Sequence, residues 1–545
     1  MRIGLAQINP TVGDIAGNAK LILDQINAAK GQCDLIIFPE LSLTGYPPED
    51  LLLKPAFIQD NLTALKHLAA SVHGIDALLG FVDHKQGRLY NAAAWISNRR
   101  IRGIYHKQKL PNYGVFDEER YFAPGPRFAL WKIKGISVGI TICEDLWSDS
   151  DFLTPLKRMK PDLVVNLSAS PFHAGKWKER ETVAKAAARA LGAPVAYCNL
   201  VGGQDELVFD GGSFVIRPDG RKIHQAPLFK TGLTQFTFSN EKKTLGSSEK
   251  QKKRTITLIE EIHGALLLGL SDYVSKNRFQ KVALGLSGGI DSALVAALAA
   301  KALGSSNVIG VTMPSRFNSP ETVKDARDLA RNLGIRLIEI PIENLFDSFK
   351  TALAPSFKGT TPNIAEENLQ ARIRGSLLMA LSNKFGWLVL TTGNKSEMST
   401  GYCTLYGDTA GGFAVIKDVL KTTVYALARF MNDKAGSAVI PASTLSRPPT
   451  AELRENQRDE DSLGAYADLD PLLIGYVEKN RPLADLEKSV SNKQISDKAD
   501  YIRKIVSLVD KSEYKRRQAP PGIKITPRSF GRDHRMPITN RYTPS

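Results

Sequence analysis

The pattern of hydrophobic and polar positions divides the chain into two halves of different rhythm. Across residues 1–240, short apolar runs recur at 3–8, 35–38, 78–82, 92–96, 138–142, 163–167 and 195–199. Runs of this length bounded by turn residues predict strands. Helical spacing falls between only some of them, at 16–30 and at 176–191, the second closed by Gly192. Residues 89–107 predict strands paired without an intervening helix. That mixture argues for a layered, mixed sheet rather than a doubly wound one.

From residue 281 the rhythm becomes regular. Predicted strands at 282–286, 308–312, 336–340 and 387–391 alternate with predicted helices at 293–303, 319–333 and 366–385. This is the sequence picture of a parallel sheet with helices on both faces. An amphipathic helix is expected just before it, over 257–275. Between the halves, residues 241–254 read EKKTLGSSEKQKKR, a polar and basic stretch that predicts a linker. The expected organisation is therefore a first domain at 1–240, a basic linker at 241–258 and a second domain at 259–545.

Composition narrows the class without choosing the function. Hydrophobic content of 43% and charged content of 23% are ordinary for a soluble globular protein. The formal net charge of +16 suits anionic partners. Much of the excess, however, lies in residues 242–254 and 511–535, where it reads as solvated linker and tail. Cys33, Cys143, Cys198 and Cys403 are scattered with no C-x-x-C pair, which suggests a reducing compartment without a disulfide framework or a zinc site. The N-terminus reads as an immediate first strand, with no secretory apolar region. No apolar run approaches the roughly 18 residues of a membrane span. A cytoplasmic location is expected.

The most telling stretch is residues 285–292, GLSGGIDS, between an apolar run and an alanine- and leucine-rich helix. A strand, a glycine turn and a helix start place backbone N–H groups where they can surround phosphate oxygens. The spacing is not that of G-x-x-x-x-G-K-[ST], and Asp291 stands one residue before the final serine. A carboxylate there repels a phosphate unless a divalent cation lies between them. The stretch therefore reads as a magnesium-assisted pyrophosphate site. Residues 313–316, MPSR, and 391–397, TTGNKSE, fall at the same carboxyl edge of the predicted sheet.

Three segments of the first half carry reactive residues at the ends of apolar strands. They are FPELSLTGYP at 38–47, HKQKLPNY at 106–113 with FDEERYF at 116–122, and GITICEDLW at 139–147. In this order they resemble the nitrilase, or carbon–nitrogen hydrolase, superfamily. The resemblance implies an α-β-β-α sandwich with Glu40 as general base, Lys107 as the transition-state lysine and Cys143 as nucleophile, supported by Glu118. The chemistry is consistent with those roles, because a free thiol is mostly protonated at neutral pH and needs a base and a cation beside it. Residues 166–176, NLSASPFHAGK, follow a strand and open a helix. Similarity to the glutamine-using branch implies that Tyr113, Ser170 and Lys176 hold the amino-acid end of the substrate. Ordinary residues of a helix start remain the alternative for Ser170 and Lys176.

The second half resembles the N-type ATP pyrophosphatases through SGGIDS at 287–292. Residues 366–374, EENLQARIR, with 391–397 and GYCTLYGD at 401–408, resemble the NAD synthetase family. This implies a doubly wound, adenine nucleotide α-hydrolase-like fold. It implies that Gly285, Leu286, Ser287, Gly288, Gly289, Ile290, Asp291 and Ser292 cradle the phosphates of ATP, with Thr392 also on ATP. Asp291 and Glu397 are the implied Mg²⁺ ligands. Asn368, Glu397 and Lys515 are the implied deamido-NAD contacts, although other basic residues neighbour Lys515. One departure is TAELRE at 450–455, where the family pattern has proline-serine before Ala451 and proline after Arg454.

Taken together, the chain resembles the glutamine-dependent NAD synthetases. That resemblance implies a ligase, typically a homo-oligomer, working on small molecules without nucleic acid or membrane. Deamido-NAD would be amidated through an acyl-adenylate, with ammonia drawn from glutamine along a protein-lined route. The same machinery acting on another carboxylate is the alternative. An RNA-modifying enzyme would need an RNA-binding module, and none is visible.

Overall fold

Strands such as Leu163–Ser168 and Val195–Asn199 are buried at every position, so both of their faces must be covered. In the first unit this is done by stacking two sheets and coating each with helices. The computed structural model describes all residues except 240–243, 248–255, 456, 458, 491–496 and 543–545. It divides into a unit Met1–Ile256 and a unit Thr257–Ser545.

One sheet of the first unit has seven strands, ordered Thr244–Ser247, Gly232–Ser239, Arg2–Gln7, Leu35–Ile37, Asp76–Lys85, Arg88–Ser97 and Arg100–His106. The other has six, ordered Lys222–Gln225, Phe214–Ile216, Val195–Asn199, Leu163–Ser168, Ile136–Ile142 and Ala129–Ile133. Ile3, Leu5, Ile37 and Leu78 of the first sheet share a core with Val138, Ile140 and Val165 of the second. Helices cover the outer faces, completing the α-β-β-α sandwich. The helix Ile15–Ala29 shows why such a segment docks: Ile15, Ile22, Ile26 and Ala29 fall on one buried stripe, and Asp14 caps its first turn by accepting from the Gly17 N–H.

The expected linker needs a correction. Thr244–Ser247 continues the seven-stranded sheet, pairing antiparallel with Gly232–Ser239 so that Phe236 faces Ser247. The strand Gly232–Ser239 would otherwise leave a row of unpaired N–H and C=O groups at the sheet edge, and a short segment able to adopt extended backbone satisfies them. The rest of that stretch, residues 241–243 and 248–255, lies outside the described residues. The helix Leu258–Lys276 follows, capped by Thr257 and Glu260.

The second unit is built on five parallel strands in the order Arg336–Glu339, Val308–Thr312, Val282–Gly285, Leu388–Thr391 and Phe413–Ala414. The chain lays down three strands in one direction from Val282–Gly285, then returns to add two on its other side. That reversal opens a crevice at the carboxyl ends of the central strands, where ligands of such sheets sit. The helix Ile290–Leu303 starts directly in this crevice. It is apolar nearly all round because it is buried from Ser292 to Ala299. Helices beyond residue 460 form a separate cluster around Leu469, Leu472, Ile505 and Val509. Among the described residues no helix is long and apolar enough to cross a membrane.

Candidate active sites

In the first unit Glu40, Lys107 and Cys143 are all buried. The Lys107 ammonium donates to Glu40 Oε1 at 2.7 Å and to both oxygens of Glu118 at 2.8 Å. Glu40 is fixed further by Asn91 Nδ2 at 2.7 Å and by the Ala169 N–H at 2.9 Å. Tyr46 donates to Glu118 at 2.9 Å. Each carboxylate is therefore aimed by donors from other elements, leaving the lysine little freedom.

One ammonium between two carboxylates leaves the cluster with surplus negative charge. Burial, and then the charge of Glu40, pushes Glu118 up to about 7 against the pull of Lys107. For Lys107 burial acts downward, but Glu118 and Glu40 more than offset it and hold the ammonium charged. Burial and Glu40 push the Cys143 thiol well above its ordinary value, and Lys107 pulls the other way. In the resting site the thiol keeps its proton. A thiolate can form only as that proton leaves to a base.

Cys143 sits where the strand Ile136–Ile142 breaks into a short 3₁₀ turn, Cys143–Leu146. Its φ of +38° lies in the left-handed region that side-chain-bearing residues avoid. The turn is held by Asp145, which accepts from the Ile142 N–H at 2.9 Å. Around it, Tyr113 is exposed and donates to Glu144 at 3.1 Å. The Lys176 ammonium lies 4.2 Å from the Trp147 ring centroid and pairs with Glu179 at 2.8 Å. Ser170 is buried, and its hydroxyl accepts from Arg180 Nε at 3.0 Å. Arg180 is itself buried, with Asp210 at 2.6 Å. Asn91, Asp145 and Arg180 carry no motif of their own in the sequence. Asp145 was within reach, two residues after the cysteine, but nothing in its spacing announced what it holds.

In the second unit the phosphate loop closes on itself. Ser292 Oγ, in the first helical turn, donates to the Gly289 carbonyl at 3.0 Å and lies 3.2 Å from Ser287 Oγ. Gly288 has φ +81°, and a Cβ there would meet the Thr322 carbonyl oxygen at 2.1 Å. Only glycine fits this turn. The loop lines a cavity of about 180 Å³ together with Thr392, Glu397, Lys421, Arg447 and Glu452. A second cavity of about 160 Å³, at the ends of the central strands, is lined by Gly285, Thr312, Met313, Arg374 and Thr391.

Asp291 and Glu397, some hundred residues apart in sequence, meet around one side chain. Lys421 donates to Asp291 Oδ2 and to Glu397 Oε1, the latter at 3.3 Å. Asn394 donates to Asp291 Oδ1 at 2.8 Å and caps the turn carrying Glu397. Burial pushes Glu397 up to about 8 although Lys421 pulls it down. Among the described residues no group of three or more His, Cys, Asp or Glu gathers to hold a metal. Two carboxylates alone still fit Mg²⁺, which commonly takes one or two from protein and the rest from substrate phosphates and water. Lys421 is absent from the motifs of the sequence. It opens the helix Lys421–Ala435 behind an apolar run, and no local motif marks it.

Other expected contacts are placed with partners of their own. Asn368 accepts from Thr404 Oγ1 at 2.7 Å. The Lys515 ammonium donates to the carbonyls of Gly401 at 2.7 Å and Cys403 at 2.8 Å, closing the end of the helix Lys395–Thr400. At the divergent 450–455 loop, Glu452 takes φ +48° and accepts from Asn318 and Thr322, both at 2.9 Å.

Residues 2–242 match the carbon-nitrogen hydrolase family and residues 262–519 match the NAD synthase family. The chain is 46% identical to a glutamine-dependent NAD(+) synthetase of Thermotoga maritima over 99% of each chain. It is 44% identical to one of Synechocystis sp., again over 99% of each. The solved structure of a glutamine-dependent NAD(+) synthetase from Acinetobacter baumannii, in complex with ADP, superimposes with a TM-score of 0.80 at 42% identity, covering 99% of this chain and 98% of that one. With both sites on one chain and relatives alike from end to end, this protein belongs to the glutamine-dependent NAD(+) synthetases.

Proposed function

We propose that the chain amidates deamido-NAD to NAD at the expense of ATP, using ammonia released from glutamine in its first unit. The observation that carries this reading is two residue clusters on one chain: a buried Glu40–Lys107–Cys143 group, and the 285–292 loop whose Asp291 shares Lys421 with Glu397.

In the first unit Cys143 Sγ attacks the carboxamide carbon of glutamine while Glu40 takes the thiol proton and passes it to the departing ammonia. Lys107 and the backbone N–H following Cys143 receive the oxyanion; one such donor is typically worth about 2.7–4 kcal/mol of barrier. Water, deprotonated by Glu40, then cleaves the thioester to glutamate. Tyr113, Ser170 and Lys176 hold the amino-acid end of the substrate. While Glu40 carries the proton, Glu118 remains the carboxylate partner of the Lys107 ammonium.

In the second unit residues Gly285 to Ser292 bind the β- and γ-phosphates of ATP through backbone N–H groups, and Thr392 contacts the nucleotide. The nicotinate carboxylate attacks the α-phosphorus, pyrophosphate leaves, and ammonia displaces AMP from the acyl-adenylate. Asp291 and Glu397 would hold Mg²⁺, which neutralises phosphate charge when bound. Lys421 stands between the same carboxylates and supplies a fixed positive charge facing the loop. Asn368, Glu397 and Lys515 orient deamido-NAD, Lys515 from its place on the carbonyls of the 401–403 turn. Positioning and charge neutralisation suffice here without a covalent nucleophile. A homo-oligomer in the cytoplasm is the assembly and setting this reading carries.

The test supplies purified protein with ATP, Mg²⁺, glutamine and deamido-NAD and measures NAD and AMP. Omitting each component in turn should abolish product, except that ammonium salts should replace glutamine. AMP formation with no NAD, or full activity with a different carboxylate, would overturn the substrate assignment.

A further inference from the structure

Lys107 and Cys143 approach each other from different sheets. Lys107 follows the strand Arg100–His106, at the edge of the seven-stranded sheet, and Cys143 follows Ile136–Ile142 in the six-stranded one. Nothing in either strand's own ladder sets the distance between the two ends. Asp145 does span that gap. Its Oδ1 accepts from the N–H groups of Gln108 at 3.0 Å and Lys109 at 2.9 Å, the two residues after Lys107. Its Oδ2 accepts from the Ile142 N–H at 2.9 Å, the residue before Cys143, and from the Tyr105 hydroxyl at 2.8 Å, two residues before Lys107. The residue is fully buried.

We infer that Asp145 is a positioning residue for the amide-hydrolysing site, a clamp between the sheets that fixes Lys107 relative to the Cys143 turn. Four donors converge on it, two per oxygen, and only a carboxylate offers four lone-pair sites in that shape. An asparagine would keep one oxygen and turn an NH₂ group toward N–H or O–H donors, breaking one side of the clamp while preserving volume. The carboxylate is buried at a cost that burial of an apolar residue would avoid, so packing alone does not account for it. Asp145 touches no reacting atom in this arrangement; it acts through Lys107 and the Cys143 turn. This inference rests on the proposed reading of the first unit and deepens it.

The experiment uses the full chain. Asp145→Asn should lower kcat for glutamine-driven synthesis by about 10–100-fold, the scale of a roughly 1 Å misplacement. The KM for glutamine should stay within about threefold, because the lysine and thiol act mainly on the transition state. The pH midpoint for alkylation of Cys143 by iodoacetamide, followed on the Cys143 peptide, should move upward as Lys107 is loosened from the thiol. A wild-type kcat overturns the inference. So does a fall in kcat matched by a smaller alkylatable fraction with an unmoved midpoint, which is what mere loss of folded protein gives. If Asp145→Asn does not fold, Tyr105→Phe removes one donor of the four. It should lower kcat severalfold at unchanged KM and shift the midpoint the same way, and an unchanged kcat overturns the inference. Cys143→Ala run in parallel separates the readings: retained glutamine-driven synthesis there sinks the site itself, not the clamp.

Discussion

Lys107 Nζ lies 2.7 Å from Glu40 Oε1, and neither side chain reaches solvent. A buried pair of this kind is weak evidence for stability, because desolvation roughly offsets attraction. Its value is in holding a charge and a base at fixed positions. Breaking it is another matter. Lys107→Met leaves Glu40 and Glu118 buried together with no cation between them. We expect the first unit to lose on the order of 3–5 kcal/mol of stability, read as a lowered denaturant midpoint, along with its glutamine-driven activity. A stability change below 1 kcal/mol would mean that the site relaxes in a way this geometry does not allow.

Cys143→Ala separates the two chemistries. Glutamine-driven synthesis should fall by about 10⁴-fold or more, as when a nucleophile is removed from a catalytic set. Synthesis from ammonium salts should stay near the parental rate, because the second unit keeps its loop and carboxylates. Loss of both activities would assign Cys143 to folding instead.

Glu118 gives a pH signature whose sign is fixed by its raised value. In the folded chain it holds its proton up to about 7, whereas the unfolded chain releases it near the ordinary 4.5. Between those limits the folded state binds more protons, so this group's contribution to stability falls as pH rises through the window and is fully lost above it. The size is on the order of 3 kcal/mol at most. Glu118→Gln should flatten the stability profile between pH 4.5 and 7 relative to the parent in urea titrations. A steeper profile in the variant would contradict the assignment.

Which parts of this were legible in the sequence follows from how local each signal is. Strand and helix rhythm carries the parallel sheet of the second unit and a mixed, layered sheet in the first, whose α-β-β-α form rests on the family resemblance, while Cys143, Glu40, Lys107 and the 285–292 loop stand in short contiguous motifs. Lys421 and Asn394 meet Asp291 only because the sheet reverses direction around Val282–Gly285. Arg180 reaches Ser170 across a helix start, and Asp145 joins two sheets. Residues whose work is done across a fold leave no mark at any one spacing. The edge strand Thr244–Ser247 was hidden for a different reason: flanking lysines and a Gly-Ser-Ser centre masked a sheet edge that needed a partner.

Asp291→Ala tests the second site from the acidic side. The substitution removes one expected Mg²⁺ ligand and leaves Lys421 with Glu397 alone. Synthesis from glutamine and from ammonium should both be lost, while alkylation of Cys143 by iodoacetamide proceeds as in the parent. Retained ammonia-driven synthesis would exclude a metal role for Asp291.

Gly288→Ala tests the loop by geometry alone, without altering charge. At φ +81° the new Cβ is strained by about 1–2 kcal/mol from backbone sterics. It also meets the Thr322 carbonyl oxygen at 2.1 Å, far inside contact distance, and that atom belongs to the backbone of the helix Pro320–Leu333. The helix is pinned at its start by the Ser319 cap and by Glu452 on Thr322, so the loop must give way first. The displaced segment is the one whose N–H groups are proposed to bind the phosphates. We expect the KM for ATP to rise at least about tenfold, equivalent to 1.4 kcal/mol of lost binding. Glutamine hydrolysis in the first unit should survive, and the midpoint of unfolding should change little if the strain is shed by the loop. An unchanged KM for ATP would place the phosphates somewhere other than this turn.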